Sequence, residues 1–164
     1  KVQEAFVKWQ QIKKENKKLK LHMIGKLQSN KAKKAVELFD YIHSVDNQKL
    51  ADALSKYQLI LNKDIKYFIQ VNIGNEIQKS GIPIEELDAF YNYCVKEINL
   101  NIIGLMVIPP LNEKPNKYFK SLSELNKSLS LQNLSMGMSA DYVEAIEHGS
   151  SFVRVGSSIF GSRS

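Results

Sequence analysis

Cysteine is all but missing from this chain, with Cys94 the single example. One thiol excludes an internal disulfide framework, and a free cysteine within an apolar helical stretch reads as packing in a reducing, cytoplasmic setting. Long apolar runs are missing too: none approaches the roughly 20 residues that cross a bilayer, and no secretory signal pattern is present. The three histidines, His22, His43 and His148, have no second ligand or carboxylate at metal-site spacing, so none reads as metal-binding. There is no G-x-G-x-x-G, no Walker A and no nucleophile elbow. Dinucleotide, P-loop and α/β-hydrolase chemistry therefore lose their usual sequence support.

What remains is an ordinary globular composition: 164 residues, 43% hydrophobic and 24% charged. That length sets one domain, residues 1–164, as the expectation. The net charge is +6, which by itself suits an anionic partner. The excess is lysine, however, and Lys13–Lys20 and Lys31–Lys34 fall at helix ends and on a helix surface, where solvated lysine is the default. With no recognisable nucleic-acid motif, a specific nucleic-acid role is not expected. Nor is a membrane partner.

Hydrophobic periodicity gives alternating elements. Val2 to Leu19 carries Val2, Ala5, Phe6, Trp9 and Ile12 at helical spacing, with Trp9 turned to the core and Lys13–Lys18 as the solvated helix end and the loop. Leu21–Ile24 is a strand. The next helix carries Ala32, Ala35, Val36 and Phe39, with Ser29 or Asn30 as its N-cap. Tyr41–Val45 is a strand, and Asp46 or Asn47 caps a helix with Leu50, Ala53, Leu54 and Tyr57. Lys66–Ile73 is a strand whose nearly continuous apolar character suits burial on both faces. A polar loop, Gly74–Gly81, precedes a helix that starts at Pro83 and ends near Glu97. Ile102–Ile108 is a strand stopped by Pro109 and Pro110, and Lys117 to about Ser128 is a helix. Further strands end at Met136 and at Val155.

Strict alternation of helix and strand means an α/β fold with parallel strands and helical crossovers. Six strand units fit a doubly wound sheet or most of a (β/α)8 TIM barrel, and a full barrel takes about 250 residues. The chain opens at Lys1 already inside a helical pattern with no residue to cap it. It is therefore expected to continue upstream, a barrel here lacking about its first two βα units. Ligands in both architectures bind at the C-terminal ends of strands, which directs attention to the polar clusters Lys26–Lys31, Ser44–Asp46, Asn72–Lys79, Met136–Asp141 and Gly156–Ser158.

Two of these clusters carry chemistry. In Phe152-Val-Arg-Val-Gly-Ser-Ser-Ile-Phe-Gly161, a strand runs into a turn of small, donor-rich residues that can present backbone N–H groups to a phosphate. In Leu134-Ser-Met-Gly-Met-Ser-Ala-Asp141 the same pattern occurs one unit earlier, with Ser139 offering a hydroxyl and Asp141-Tyr-Val-Glu144 reading as a capping box. Adjacent turns of this kind are where a βα barrel builds a phosphate site. Strand alternation puts Arg154 on the side of Phe152 and opposite Val153 and Val155. A cation there must be paired, with a barrel carboxylate as the plain partner, or functional. Lys26 and Lys31 could in principle act as amine nucleophiles, but read as solvated lysines.

The segments His22-Met-Ile-Gly-Lys-Leu-Gln-Ser-Asn-Lys31, Ile42-His-Ser-Val-Asp46, Gln70-Val-Asn-Ile73, Gly104-Leu-Met-Val-Ile-Pro109, Leu134–Asp141 and Val153–Gly161 follow one another in an order that closely resembles the pyridoxal-phosphate homeostasis proteins (YggS/PROSC type). The resemblance covers essentially the whole chain. It implies the TIM barrel of the alanine racemase N-terminal-domain type, PLP fold type III. It implies pyridoxal 5′-phosphate (PLP), a vitamin B6 form, as cofactor. Ser139, Gly156 and Ser157 would hold the phosphate, Met138 would belong to the same site, and Arg154 would lie beside the pyridine nitrogen. The family often has Thr where Ser157 stands, and the hydroxyl is kept. The family's anchoring lysine lies on its first strand, which would precede Lys1, and neither Lys26 nor Lys31 matches it. The implied role is intracellular PLP homeostasis, as a monomeric carrier or regulator without established catalysis. The alternative is a PLP-dependent amino-acid racemase of the same fold. A cation beside the ring nitrogen opposes its protonation and so weakens the ring as an electron sink, which suits holding better than turnover.

Overall fold

A computed structural model describes residues 2–74 and 80–161, with side chains from Phe6 onward. The middle of the expected 74–81 loop, residues 75–79 of the Asn72–Lys79 cluster, lies outside the described residues. The helices are α1 (Val2–Glu15), α2 (Ala32–Leu38), α3 (Gln48–Ile60), α4 (Leu87–Asn92), α5 (Asn116–Ser128), α6 (Tyr142–Glu147) and α7 (Ser157–Phe160). The strands are β1 (His22–Met23), β2 (Tyr41–Val45), β3 (Lys66–Asn72), β4 (Ile82–Pro83), β5 (Ile102–Met106), β6 (Asn133–Met138) and β7 (Phe152–Arg154).

The main sheet runs β1-β2-β3-β5-β6-β7, with β4 paired to β3 off that path, and its pairings are parallel. Sequential order with helical crossovers makes a sheet curl rather than spread. The curl is direct: the His22 ring of β1 and the Phe152 ring of β7, at opposite ends of the strand order, are 5.8 Å apart between centroids. The sheet is a curved section of a barrel, and the strand order runs around it without reversal.

Alternation along the strands builds two interiors. Ile42, Tyr67, Ile69, Leu105, Leu134 and Met136 join the helix residues Ala35, Val36, Leu50, Leu54, Phe119, Leu122 and Ala145 in one apolar core. The other side of the sheet carries a small aromatic and polar cluster, in which Phe68 stacks on His43 at 4.4 Å and meets Phe152 edge-on at 5.3 Å. Burial of β3 from Tyr67 to Val71 is the double coverage that its apolar run predicts. Trp9 packs against the apolar core as expected, and Cys94 is fully buried.

Several local expectations fail for identifiable reasons. Ser29 and Asn30 do not cap α2; they lie inside a 3-10 turn, Ser29–Lys31, that feeds the helix directly and has no side-chain cap. The cap of α3, by contrast, is one of the two expected residues: Asn47 accepts the Leu50 N–H at 2.9 Å. Pro83 is not the first helical residue, because its ψ of 148° is extended; it ends β4, and a 3-10 turn, Ile84–Glu86, starts the helical segment. That segment passes through α4 into a π-helical turn, Tyr93–Glu97, so its expected end is correct.

Candidate functional site

A groove of about 440 Å³ opens between the two ends of the sheet, lined by His22, Ile24, His43, Phe152, Arg154 and Gly156 among others. Its back wall is β7. Phe152 and Arg154 share one side of the strand, as alternation requires, while Val153, 39% exposed, also borders the groove, as does Val155.

The turn after β6 is shaped by its own residues. Gly137 has φ of +92°, and a Cβ there would sit 2.6 Å from the Ala145 Cβ, so α6 can lie against the strand end only over glycine. Asp141 stands at the N-cap position of α6, but its carboxylate reaches back to the Met138 N–H at 2.6 Å instead of capping the helix. The capping box read from Asp141 and Glu144 is thus replaced by a tight 138–141 turn, closed by the Asp141 N–H on the Met138 carbonyl at 3.0 Å. Met138 pairs in register with Arg154, and Ser139 leaves the turn toward the next strand end.

There, Ser139 Oγ accepts the Gly156 N–H at 3.1 Å and the Ser158 N–H at 3.4 Å, while Ser158 Oγ donates to the Ser139 carbonyl at 3.4 Å. Two backbone donors of one turn converge on one oxygen, the arrangement an anion's oxygen would meet. Where a Gly156 Cβ would stand, no atom lies within 4 Å, which leaves room for a group to approach the backbone. Ser157 begins α7 and is exposed; the converging N–H from this turn is that of Ser158, which the site residues drawn from sequence omit. The signal available for Ser158 was its place in the first turn of a helix, where N–H groups lack intrahelical partners.

Arg154 has no carboxylate partner among the described residues. Its Nη1 donates to Ser135 Oγ and its Nη2 to the Val107 carbonyl, both at 2.8 Å. Burial lowers its pKa to about 10, against the weaker opposing pull of Asp141. Of the two alternatives, a barrel carboxylate as partner is not found among the described residues, and neutral oxygens hold the cation. Two of the five guanidinium N–H groups are used in these bonds, so donors remain for a ligand.

Two histidines complete the wall. His43 is 1% exposed, with Nδ1 at 2.7 Å from Ser135 Oγ and Nε2 at 2.9 Å from His22 Nδ1. Burial, then the charges of His22 and Arg154, push the His43 pKa down to about 3, so it is neutral. Burial also lowers His22, against the raising effect of Asp40; its ring stacks on Tyr41 at 4.2 Å. Sequence reading considered each histidine only as a metal ligand and missed their pairing. Lys26 is exposed and belongs to a separate cavity of about 290 Å³ with Gln70, Asn72 and Tyr118. No lysine is among the described residues lining the groove.

This fold and this groove define a class: the family described as alanine racemase, N-terminal domain, matches residues 1–164. Alanine racemase from Corynebacterium glutamicum shares the fold at a TM-score of 0.67 and 13% identity. Within that class the chain belongs to the pyridoxal phosphate homeostasis protein family. The pyridoxal phosphate homeostasis protein of Aquifex aeolicus is 39% identical over 171 residues, covering 99% of this chain and 74% of the relative. That of Synechocystis is 43% identical over 151 residues, covering 87% and 69%. The solved structure of PipY from Synechococcus elongatus PCC7942 with PLP bound is 36% identical, with a TM-score of 0.89, covering 98% of this chain and 79% of PipY.

Proposed function

We propose that this chain binds pyridoxal 5′-phosphate in the groove between β7 and β1 and serves PLP homeostasis by holding the cofactor rather than by turning over a substrate. The observation that carries the reading is the convergence of the Gly156 and Ser158 N–H groups on Ser139 Oγ, beside an arginine with spare donors. PipY, a relative solved with PLP, supplies the ligand's name.

The residues present fit the group. The Gly156 and Ser158 N–H groups, now on Ser139 Oγ, would hold the phosphate, with the Ser139 and Ser157 hydroxyls as further donors. Arg154 would stand beside the ring nitrogen as a donor, and Met138 is its register partner on the neighbouring strand. Bound PLP supplies an aldehyde that captures amines and a pyridine ring that can draw electrons. Arg154 would disfavour a proton on that ring nitrogen, because a second positive charge beside a part-buried guanidinium is unfavourable. Racemisation would need an acid/base group on each face of the cofactor. The titratable histidines of the groove are bonded to each other, which supports the holding role. A single buried thiol suits a cytoplasmic site of action. The lysine-rich surface is read as solvated, without a specific nucleic-acid partner, and the full-length protein as monomeric.

The test is a titration with PLP followed by absorbance and by 31P NMR. Saturable binding that free phosphate competes with, and that Arg154→Ala and Ser139→Ala weaken, is expected. Non-saturable uptake, or binding indifferent to both substitutions, would overturn the assignment of the groove.

A further inference from the structure

The cluster behind Arg154 is a continuous hydrogen-bonded wire. It runs from His22 Nδ1 to His43 Nε2 at 2.9 Å, from His43 Nδ1 to Ser135 Oγ at 2.7 Å, and from Ser135 Oγ to Arg154 Nη1 at 2.8 Å. Four strands, β1, β2, β6 and β7, each contribute one residue. Both central members are buried, Ser135 at 0% and His43 at 1% exposure.

Proton counting fixes the direction. A neutral imidazole carries one ring proton, and a serine hydroxyl has one to donate. Arg154 can only donate, so Ser135 Oγ is already an acceptor. Were His43 protonated on Nδ1, Ser135 would accept twice and its own proton would have no acceptor among the described residues, in a fully buried place. That is a costly state. With the proton on His43 Nε2, every donor has one acceptor: Arg154 gives to Ser135, Ser135 to His43 and His43 to His22. His22 then accepts at Nδ1 and, when neutral, keeps its proton on Nε2.

We propose that His43 and Ser135 are positioning residues for Arg154: this one-way wire, with the Val107 carbonyl, pins the guanidinium at two points and holds it in the plane from which it meets the ligand. The functional half of this statement rests on the PLP reading above, while the wire itself does not. A carboxylate partner would hold the arginine more tightly and also neutralise it. Ser135 and His43 hold it and leave its charge in the groove. Sequence alone makes Ser135 an unremarked small residue inside a strand, and its role follows only from register.

The experiment uses the 15N-labelled full chain at neutral pH, with Ser135→Ala, His43→Leu and His43→Asn. The Asn amide oxygen can replace Nδ1 as the acceptor for Ser135. In the unsubstituted protein, histidine long-range 15N spectra should show His43 and His22 protonated on Nε2, and Arg154 should give separate, slowly exchanging Nη signals. Those Nη signals should collapse in Ser135→Ala and His43→Leu and persist in His43→Asn. PLP affinity should fall about tenfold in the first two variants, the scale of a hydrogen bond to a charged group, and stay within about threefold in the third. His43 protonated on Nδ1, or Nη signals unchanged by both disruptive substitutions, would overturn the proposal. If the unsubstituted chain fails to bind PLP, the cofactor reading falls and the Nη signals still decide the positioning. If a disruptive variant does not fold, the tautomer pattern of the unsubstituted protein decides it.

Discussion

Ser139 Oγ accepts the Gly156 N–H at 3.1 Å, so the hydroxyl of one strand-end turn sits on the backbone donor of the next. Each partner is only half-buried, and the contact is one that a phosphate oxygen can displace with a stronger, charge-assisted bond. Removing the hydroxyl therefore affects ligand more than fold. Ser139→Ala is expected to lower stability by no more than about 1 kcal/mol, the worth of an ordinary hydrogen bond. It should weaken phosphate-ester binding about tenfold. Calorimetric titration and a urea melt of the same preparation separate the two effects; a large stability loss with unchanged binding would contradict this account.

Gly137 is the backbone hinge on which that serine depends. At φ +92° and with an added Cβ 2.6 Å from the Ala145 Cβ, Gly137→Ala meets both a left-handed penalty and a packing clash. Together these suggest a loss of about 2–4 kcal/mol. Chemical denaturation should show it, and α6 should lose amide protection first. A neutral substitution would mean that α6 does not rest on this strand end.

The strands and the side on which Arg154 stands were legible in the sequence, because apolar runs and period-two alternation depend on the strand alone. The two adjoining strand-end turns were legible in outline from Gly137, Ser139 and Gly156. The His22–His43 pair was not, since it depends on the register that puts His22 opposite Tyr41, and no local pattern encodes a cross-strand register. The same limit hid Ser135 as Arg154's partner. The α3 cap was legible as one of two neighbours, Asp46 or Asn47, of which Asn47 serves, and the cap position failed where a 3-10 turn took its place, as at Ser29 and Asn30.

Stability should fall in mild acid through His43. Its folded pKa, about 3, lies below the ordinary 6.5, so below pH 6.5 the unfolded chain binds the proton that the folded chain refuses. The stabilisation is complete above the unfolded value and is lost as pH falls from 6.5 toward 3. Between pH 6.5 and 5 the loss is about 2 kcal/mol for one such group, and the lowered pKa of His22 acts in the same direction. Asp40 is also lowered, with the Lys13 and Leu21 hydrogen bonds outweighing a burial effect that raises it. Its contribution is lost only below its ordinary 3.8, outside this window. Urea midpoints at pH 7 and pH 5 should differ in the native sequence and differ less in His43→Asn, where only the His22 contribution remains.

Cys94 is buried in the π-helical turn, and burial, followed by the charge of Asp52, raises its thiol to about 12. At pH 8 almost none is thiolate, the reactive form. A thiol-specific chromogenic reagent should leave the folded protein unmodified over hours and react at once in denaturant. Rapid reaction under native conditions would show that the Tyr93–Glu97 turn opens readily.

Arg154 separates the demands of folding from those of the ligand. A buried guanidinium costs several kcal/mol of desolvation, which neutral partners only partly return. Arg154→Met removes that cost but leaves the Val107 carbonyl without its donor, a penalty of about 1–3 kcal/mol. Ser135 retains His43 as a partner. These terms oppose one another, so the net change in stability should lie within about 2 kcal/mol of zero. On the proposed reading, PLP binding loses its ring-nitrogen donor and the one Lys or Arg among the described residues lining the groove, and should weaken at least tenfold. A thermal melt with and without PLP tests both halves: the substituted protein should melt near the native temperature and lose most of its PLP-dependent upward shift. A collapse of the ligand-free melt would make Arg154 a structural residue and remove the central cation from the proposed site.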